Sequence, residues 1–329
     1  MKSFKKKITT LIEHHHAVEI KDKTRYIGIV LTTVGWSLYA LFTVALDVLN
    51  PHFYQHVSEK TVGKIFFEFA IMHFSMCLLF FVCCISKGVK FLRPKDPLLI
   101  HSRSIFAVIS FWCYSFARIW NSTIDNSLQL STDAIWVLII LLFLSVRIRK
   151  ISKLGIFVGF IGILFVYLSD LKSFYDFLGG ILGSTSGFTL AVITVITAYL
   201  IKQDPPIRIG LYQGATGFLL SSIVAIVLGL TSGWDIPSFR EMVISFSTGL
   251  IFAALLYWIW KAFYYTEAHI LGALSYILPV FLIFIGWLLN QEPMNLPTII
   301  GTIIITCGGL LVVIDSHFTH SKTRKNIDR

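Results

Sequence analysis

KAFYYTEAHILGALSYILPVFLIFIGWLLNQEPMNLPTIIGTIIITCGGLLVVID, residues Lys261 to Asp315, is the stretch whose reading decides the fold. From Ala268 to Gln291 and again from Pro293 to Ile314 it contains no Asp, Glu, Lys or Arg. Each run exceeds the roughly 20 residues a helix needs to cross a hydrocarbon core about 30 Å thick. Only Glu292 stands between them, so the stretch reads as a membrane helical hairpin.

Moved back by 146 positions, the stretch meets a second copy of itself: Gly301 falls on Gly155, Gly308 on Gly162, Leu274 on Leu128 and Thr298 on Ser152. A separate offset of 152 lays Gly28, Ile29, Gly35 and Leu38 on Gly180, Ile181, Gly187 and Leu190. Two matches in the same chain order point to a duplicated unit of five helices.

Composition sets the class. With 55% hydrophobic and 14% charged residues and a mean hydropathy of +0.75, the chain is too apolar for a soluble domain, where about a quarter of residues are charged. It reads as an all-α integral membrane protein. The net charge of +10 lies in short loops and tails rather than on one amphipathic face. Anionic lipid headgroups are therefore the expected counter-charge, and no nucleic acid is a partner. The cysteines Cys77, Cys83, Cys84, Cys113 and Cys307 fall inside apolar runs without disulfide or zinc spacing, and read as reduced packing residues; no metal site is expected.

Ten apolar segments follow a basic tail at 1–25. They lie at about 26–48, 62–86, 103–121, 127–146, 151–170, 177–201, 208–230, 242–263, 267–290 and 294–315, with a second basic tail at 316–329. Basic residues are retained on the cytoplasmic side. With the N-terminus inside, that side collects 23 Lys and Arg, Arg103 and Arg208 among them, against 4 outside (Lys60, Lys64, Lys172 and Arg240). The expectation is both termini in the cytoplasm of a multi-pass protein of the plasma (inner) membrane. Five helices per unit, an odd number, invert the second unit (177–315) relative to the first (26–171). Inverted repeats are a recurrent plan of secondary transporters, with the solute site between the halves.

Pro279 in the ninth segment, the run Asn290-Gln291-Glu292-Pro293, and Gly301 with Gly308-Gly309 in the tenth resemble the EamA-type half of the drug/metabolite transporter superfamily. The resemblance covers about 26–315. It implies ten helices in two inverted five-helix bundles around a central cavity, moving a small organic solute by alternating access. Asn290-Gln291-Glu292 departs from the family's Gly-Glu step, and in the first half Asp133 stands where Pro279 maps and Val146 where Glu292 does.

Ionisable residues at membrane depth are costly, so each is a candidate for function. Glu68, His73, Arg118 and Asp133 are the set. Two readings stay open: Arg118 pairs with Asp133 or Asp125 to fix a hairpin, or Asp133 and Glu68 meet a cationic part of a substrate while Arg118 holds a carboxylate in a bidentate fork. Trp112, Tyr114, Trp136 and Tyr276 are the aromatics expected to face the cavity and stack on a flat or cationic solute. Mixed charge with aromatics suits an amino acid or S-adenosylmethionine. No catalytic or Walker A signature occurs, so neither an enzyme nor a cofactor is expected; a facilitative channel or a scaffold is the alternative, and a homodimer is a compatible assembly.

Overall fold

The computed structural model describes residues 22–49, 59–120, 123–146, 148–170, 174–290 and 296–327. Glu292 and Arg147, on which part of the orientation reading rests, lie outside them. Among the described residues the chain is helical: α1 (Asp22–Leu49), α2 (Glu59–Ile85), α3 (Pro97–Ala117), α4 (Thr123–Leu130), α5 (Asp133–Phe143), α6 (Lys150–Asp170), α7 (Phe174–Leu200), α8 (Pro206–Ser232), α9 (Phe239–Ala262), α10 (Ala268–Leu274), α11 (Ile277–Asn290) and α12 (Leu296–Ile327). Among the described residues eight segments are long and apolar enough to cross a membrane by length and composition, and Leu128–Phe143 and Ile299–Asp315 are shorter apolar helices. Helix α12 continues past 315 into the segment expected to be a tail.

Helix starts follow local chemistry. The Asp96 carboxylate accepts from the Leu99 amide at 3.2 Å and Pro97 occupies the first position of α3, where a missing N–H costs nothing. Ser238 and Glu241 close a reciprocal capping box on α9, and Glu241 also binds the Lys64 ammonium at 2.7 Å, fastening the start of α9 to the start of α2. Near the far end of α12, Asp315 accepts from Arg149 at 3.1 Å and from the Ser152 hydroxyl at 2.6 Å.

The helices pack in antiparallel pairs that join the first half of the chain to the second. Along α2 and α8, Gly63 meets Leu228, Gly214 meets the Cys77 backbone and Gly210 meets Phe80. Along α6 and α12, Gly155 lies against the Gly308 carbonyl and Gly162 against the Gly301 carbonyl. A Cβ at Gly308 would come within 2.6 Å of the Gly155 oxygen, so only glycine lets these backbones approach as they do. Helix α3 packs on α7 and α1 on α9, again antiparallel, as the bonds from Arg103 to Thr197 and from Ser110 to Ser186 show for the former.

Two of the predicted segments are broken. The segment at 267–290 divides between Leu274 and Ile277, two residues before Pro279. Proline cannot donate to the carbonyl four residues back, which here is Ser275; that oxygen accepts instead from the Leu278 amide at 2.9 Å and from the Ser131 hydroxyl at 3.2 Å. The segment at 127–146 also breaks, without a proline. Thr132 folds both its amide and its hydroxyl back onto the Gln129 carbonyl, at 3.1 and 2.7 Å. The breaks touch: the Ser275 hydroxyl donates to Asp133 at 2.5 Å, so each supplies groups that the other has left open.

Candidate functional site

The helix pairs enclose two adjoining cavities of about 110 and 90 Å³. Tyr39, Phe111, Tyr114 and Phe252 line both. Ring centroids of Tyr39 and Phe252, and of Phe111 and Phe252, are 6.0 Å apart, so these aromatics form a septum between two chambers.

The first chamber is built around Arg103 and Asp133. Arg103 lies in α3 and is 1% exposed. Its Nε donates to Thr197 Oγ1 at 3.0 Å, Nη1 donates to Gln213 Oε1, and the guanidinium lies over the Trp260 ring, 4.7 Å from the centroid. Helices α7, α8 and α9 thus hold one planar cation in place. Asp133, 2% exposed, begins α5, where the helix dipole favours a negative charge. Trp36 lines the same chamber.

The second chamber is lined by Glu68, Arg118, Thr43, Ser115, Ser245 and Thr248 together with the septum. Glu68 is 4% exposed and Arg118 is 8% exposed. The Tyr39 phenol lies within reach of Arg118, Thr43 and Tyr114.

The structure therefore brings Asp133 and Tyr114 to the first chamber, and Glu68, Arg118 and Tyr114 to the second. Arg118 and Asp133 line different chambers, and Asp133 is met by Ser275; the Asp125 side chain lies outside the described residues. The other expected aromatics pack elsewhere. Trp112 donates to Ser221 at 3.3 Å and stands edge-on to Phe66. Trp136 stands edge-on to Phe188, and the Tyr276 hydroxyl donates to the Ile156 carbonyl at 2.8 Å with its ring on Gly159. His73 is turned onto Gly217, its Nδ1 2.8 Å from the Phe69 carbonyl.

Sequence reasoning missed Arg103 and the septum residues Tyr39, Phe111 and Phe252. The charge count assigned Arg103 to a loop, yet Asp96-Pro97 carries the signal, since a capping Asp followed by Pro starts the helix at 97 and places Arg103 nearly two turns inside it. Arg208, also counted with the loops, is 6% exposed, pairs with Asp204 and donates to the Phe91 carbonyl at 2.7 Å. With the Tyr212 hydroxyl on the Leu92 carbonyl at 3.1 Å, it straps the turn Val89–Leu92 onto α8.

Residues 177–314 match the EamA-like transporter family. The second half of the chain is similar to EamA-type transporters. It is 22% identical over 247 residues to the uncharacterized transporter YetK of Bacillus subtilis (strain 168), spanning 73% of this chain and 74% of that one. A solved crystal structure covers 91% of this chain and 99% of its own, with a TM-score of 0.66 at 17% identity, a likeness of fold alone. The matches, with the apolar helices, support a multi-pass membrane protein that is a transporter of small molecules, similar to the EamA-type members of the drug/metabolite transporter superfamily.

Proposed function

We propose that this protein is a secondary transporter that moves a zwitterionic solute of amino-acid size by alternating access between two inverted five-helix repeats. The observation that carries the substrate class is the first chamber, where Arg103 and Asp133, opposite charges buried to 1% and 2%, line one cavity beside Trp36 and Tyr114. The guanidinium suits a carboxylate, Asp133 an ammonium group, and the aromatics the remainder of the molecule. Arg118 and Glu68 line the chamber on the other side of the septum, through which the solute passes. S-adenosylmethionine, with a nucleoside attached to an amino acid, would need both chambers at once.

The packing supports the inverted repeat. The 146-residue offset exchanges Gly155 with Gly301 and Gly162 with Gly308; under that exchange the contact of Gly155 with Gly308 becomes that of Gly301 with Gly162, and both exist. The contact joins antiparallel helices, so the two units would insert with opposite topology. The pairing of α3 with α7 and of α1 with α9 exchanges in the same way. In the membrane, ten spans would put both termini in the cytoplasm, with the Glu68 chamber on the outer side.

Counterflow in proteoliposomes tests the reading. Vesicles preloaded with an unlabelled mixture of the common amino acids should take up labelled amino acid faster than empty ones, because a carrier returns faster loaded than empty. Equal rates would indicate a channel, no flux a scaffold or another substrate class, and stimulation only by S-adenosylmethionine would move the assignment to the larger solute.

A further inference from the structure

Glu68 stands apart from every other buried charge in the two chambers. It lies on α2, 4% exposed, with its carboxylate on the wall of the second cavity. Among the described residues no hydrogen bond or ion pair engages it. Lys64, the nearest ammonium on the same helix, is held by Glu241 at 2.7 Å. An acidic side chain at membrane depth is costly, and among the described residues no hydrogen bond or ion pair offsets that cost.

The surrounding charges favour uptake of a cation. On α2 itself stand Lys64 and His73; Glu241 faces Glu68 from α9, Asp235 from the connection before it, and Arg118 lines the same cavity from the end of α3. Lys64 and Glu241 satisfy one another, His73 is turned onto Gly217, and Arg118 lies beside Tyr39. The carboxylates Glu241 and Asp235 together act against the one Lys64 ammonium at Glu68. Thr43, Ser115, Ser245 and Thr248 line the same cavity as the carboxylate.

We propose that Glu68 is the proton-binding site that couples solute movement to a transmembrane proton gradient, and that the Tyr39, Phe111, Tyr114 and Phe252 septum keeps it apart from the solute pair Arg103 and Asp133. The proposal rests on the carrier reading above. The proton binds one carboxylate oxygen and leaves to water on the opposite side, so no further reactant is required. Protonation removes the buried charge, and the neutral and charged forms of Glu68 then favour different packings of α2 against α9.

The first test requires no solute. N,N′-dicyclohexylcarbodiimide adds to protonated carboxyls in apolar surroundings, and mass spectrometry of the purified protein reads its adduct on the Glu68 peptide. Labelling should fall at least about tenfold between about pH 6 and about pH 9, as the carboxyl form is lost, and should vanish in Glu68→Gln. Absent or pH-independent labelling overturns the proposal.

The second test uses proteoliposomes and the common amino acids. An imposed pH gradient should raise accumulation at least about threefold in the wild type and in Glu68→Asp. Glu68→Gln should lose that response, while Glu68→Asp keeps it, in preparations of equal monodisperse yield. Gradient-driven accumulation that survives in Glu68→Gln, or a response to sodium in place of protons, overturns the assignment. If no amino acid exchanges at all, the proposed substrate class fails, and the labelling result still decides whether Glu68 takes up a proton.

Discussion

The two chambers share four aromatic side chains but treat their charges differently. In the first, Arg103 gives its donors to Thr197 and Gln213 and its face to Trp260, and Asp133 accepts from Ser275. In the second, the Glu68 carboxylate faces the cavity without such support among the described residues. A charge locked by neighbours from several helices is suited to holding a ligand in one orientation. One left open is suited to changing its state.

Substitutions can break this contrast, and the largest effect is expected at Arg103. Arg103→Gln removes the cation of the first chamber and takes the donors from Gln213 and Thr197, so counterflow of any carboxylate-bearing solute should fall at least about 100-fold, with a loss of stability of about 1–3 kcal/mol. Arg103→Lys should not restore flux, because an ammonium can neither form the fork nor stack on Trp260; thermal unfolding and exchange measured together separate the two losses. Next is Ser275→Ala, which takes the donor from Asp133 and should cost about 1–3 kcal/mol. Adding Asp133→Asn should recover most of that stability without recovering flux.

Smaller effects sharpen the boundary between the chambers. Phe252→Ala thins the septum, and the ratio of exchange to net efflux should drop roughly threefold as the chambers merge. The smallest effect is expected for the pair Arg118→Gln with Asp133→Asn. Residues in separate chambers should give additive stability changes, with a coupling energy below about 0.5 kcal/mol in a double-mutant cycle. A coupling of several kcal/mol would mean that the two charges meet after all.

The sequence carried the class of the fold well, because membrane helices announce themselves through long uncharged runs. Pro279, which cannot donate to the carbonyl four residues back, is the sequence signal for the break between α10 and α11. The matching break at Thr132 was not legible, since it depends on a hydroxyl bonding back to Gln129 and on Ser131 reaching Ser275, 144 positions away. Arg118 and Asp133 were legible as buried charges but not as occupants of different chambers, because short connections say which helices are neighbours and nothing about which way each side chain turns. Arg103 was hidden by a charge count that treats every Arg near a segment end as a loop residue. Trp112, Trp136 and Tyr276 look identical in sequence to the aromatics that do line the cavities; only packing against Phe66, Phe188 and Gly159 distinguishes them.

The glycine seam between α6 and α12 also sets a timetable for biosynthesis. Gly155 and Gly162 leave the ribosome about 140 residues ahead of Gly301 and Gly308, which at roughly 5–20 residues per second is a wait of roughly 7 to 28 s. Until α12 is made, the glycine stripe of α6 lacks the partner backbone it packs on in the finished structure. A nascent chain halted inside α12 would keep that stripe uncovered.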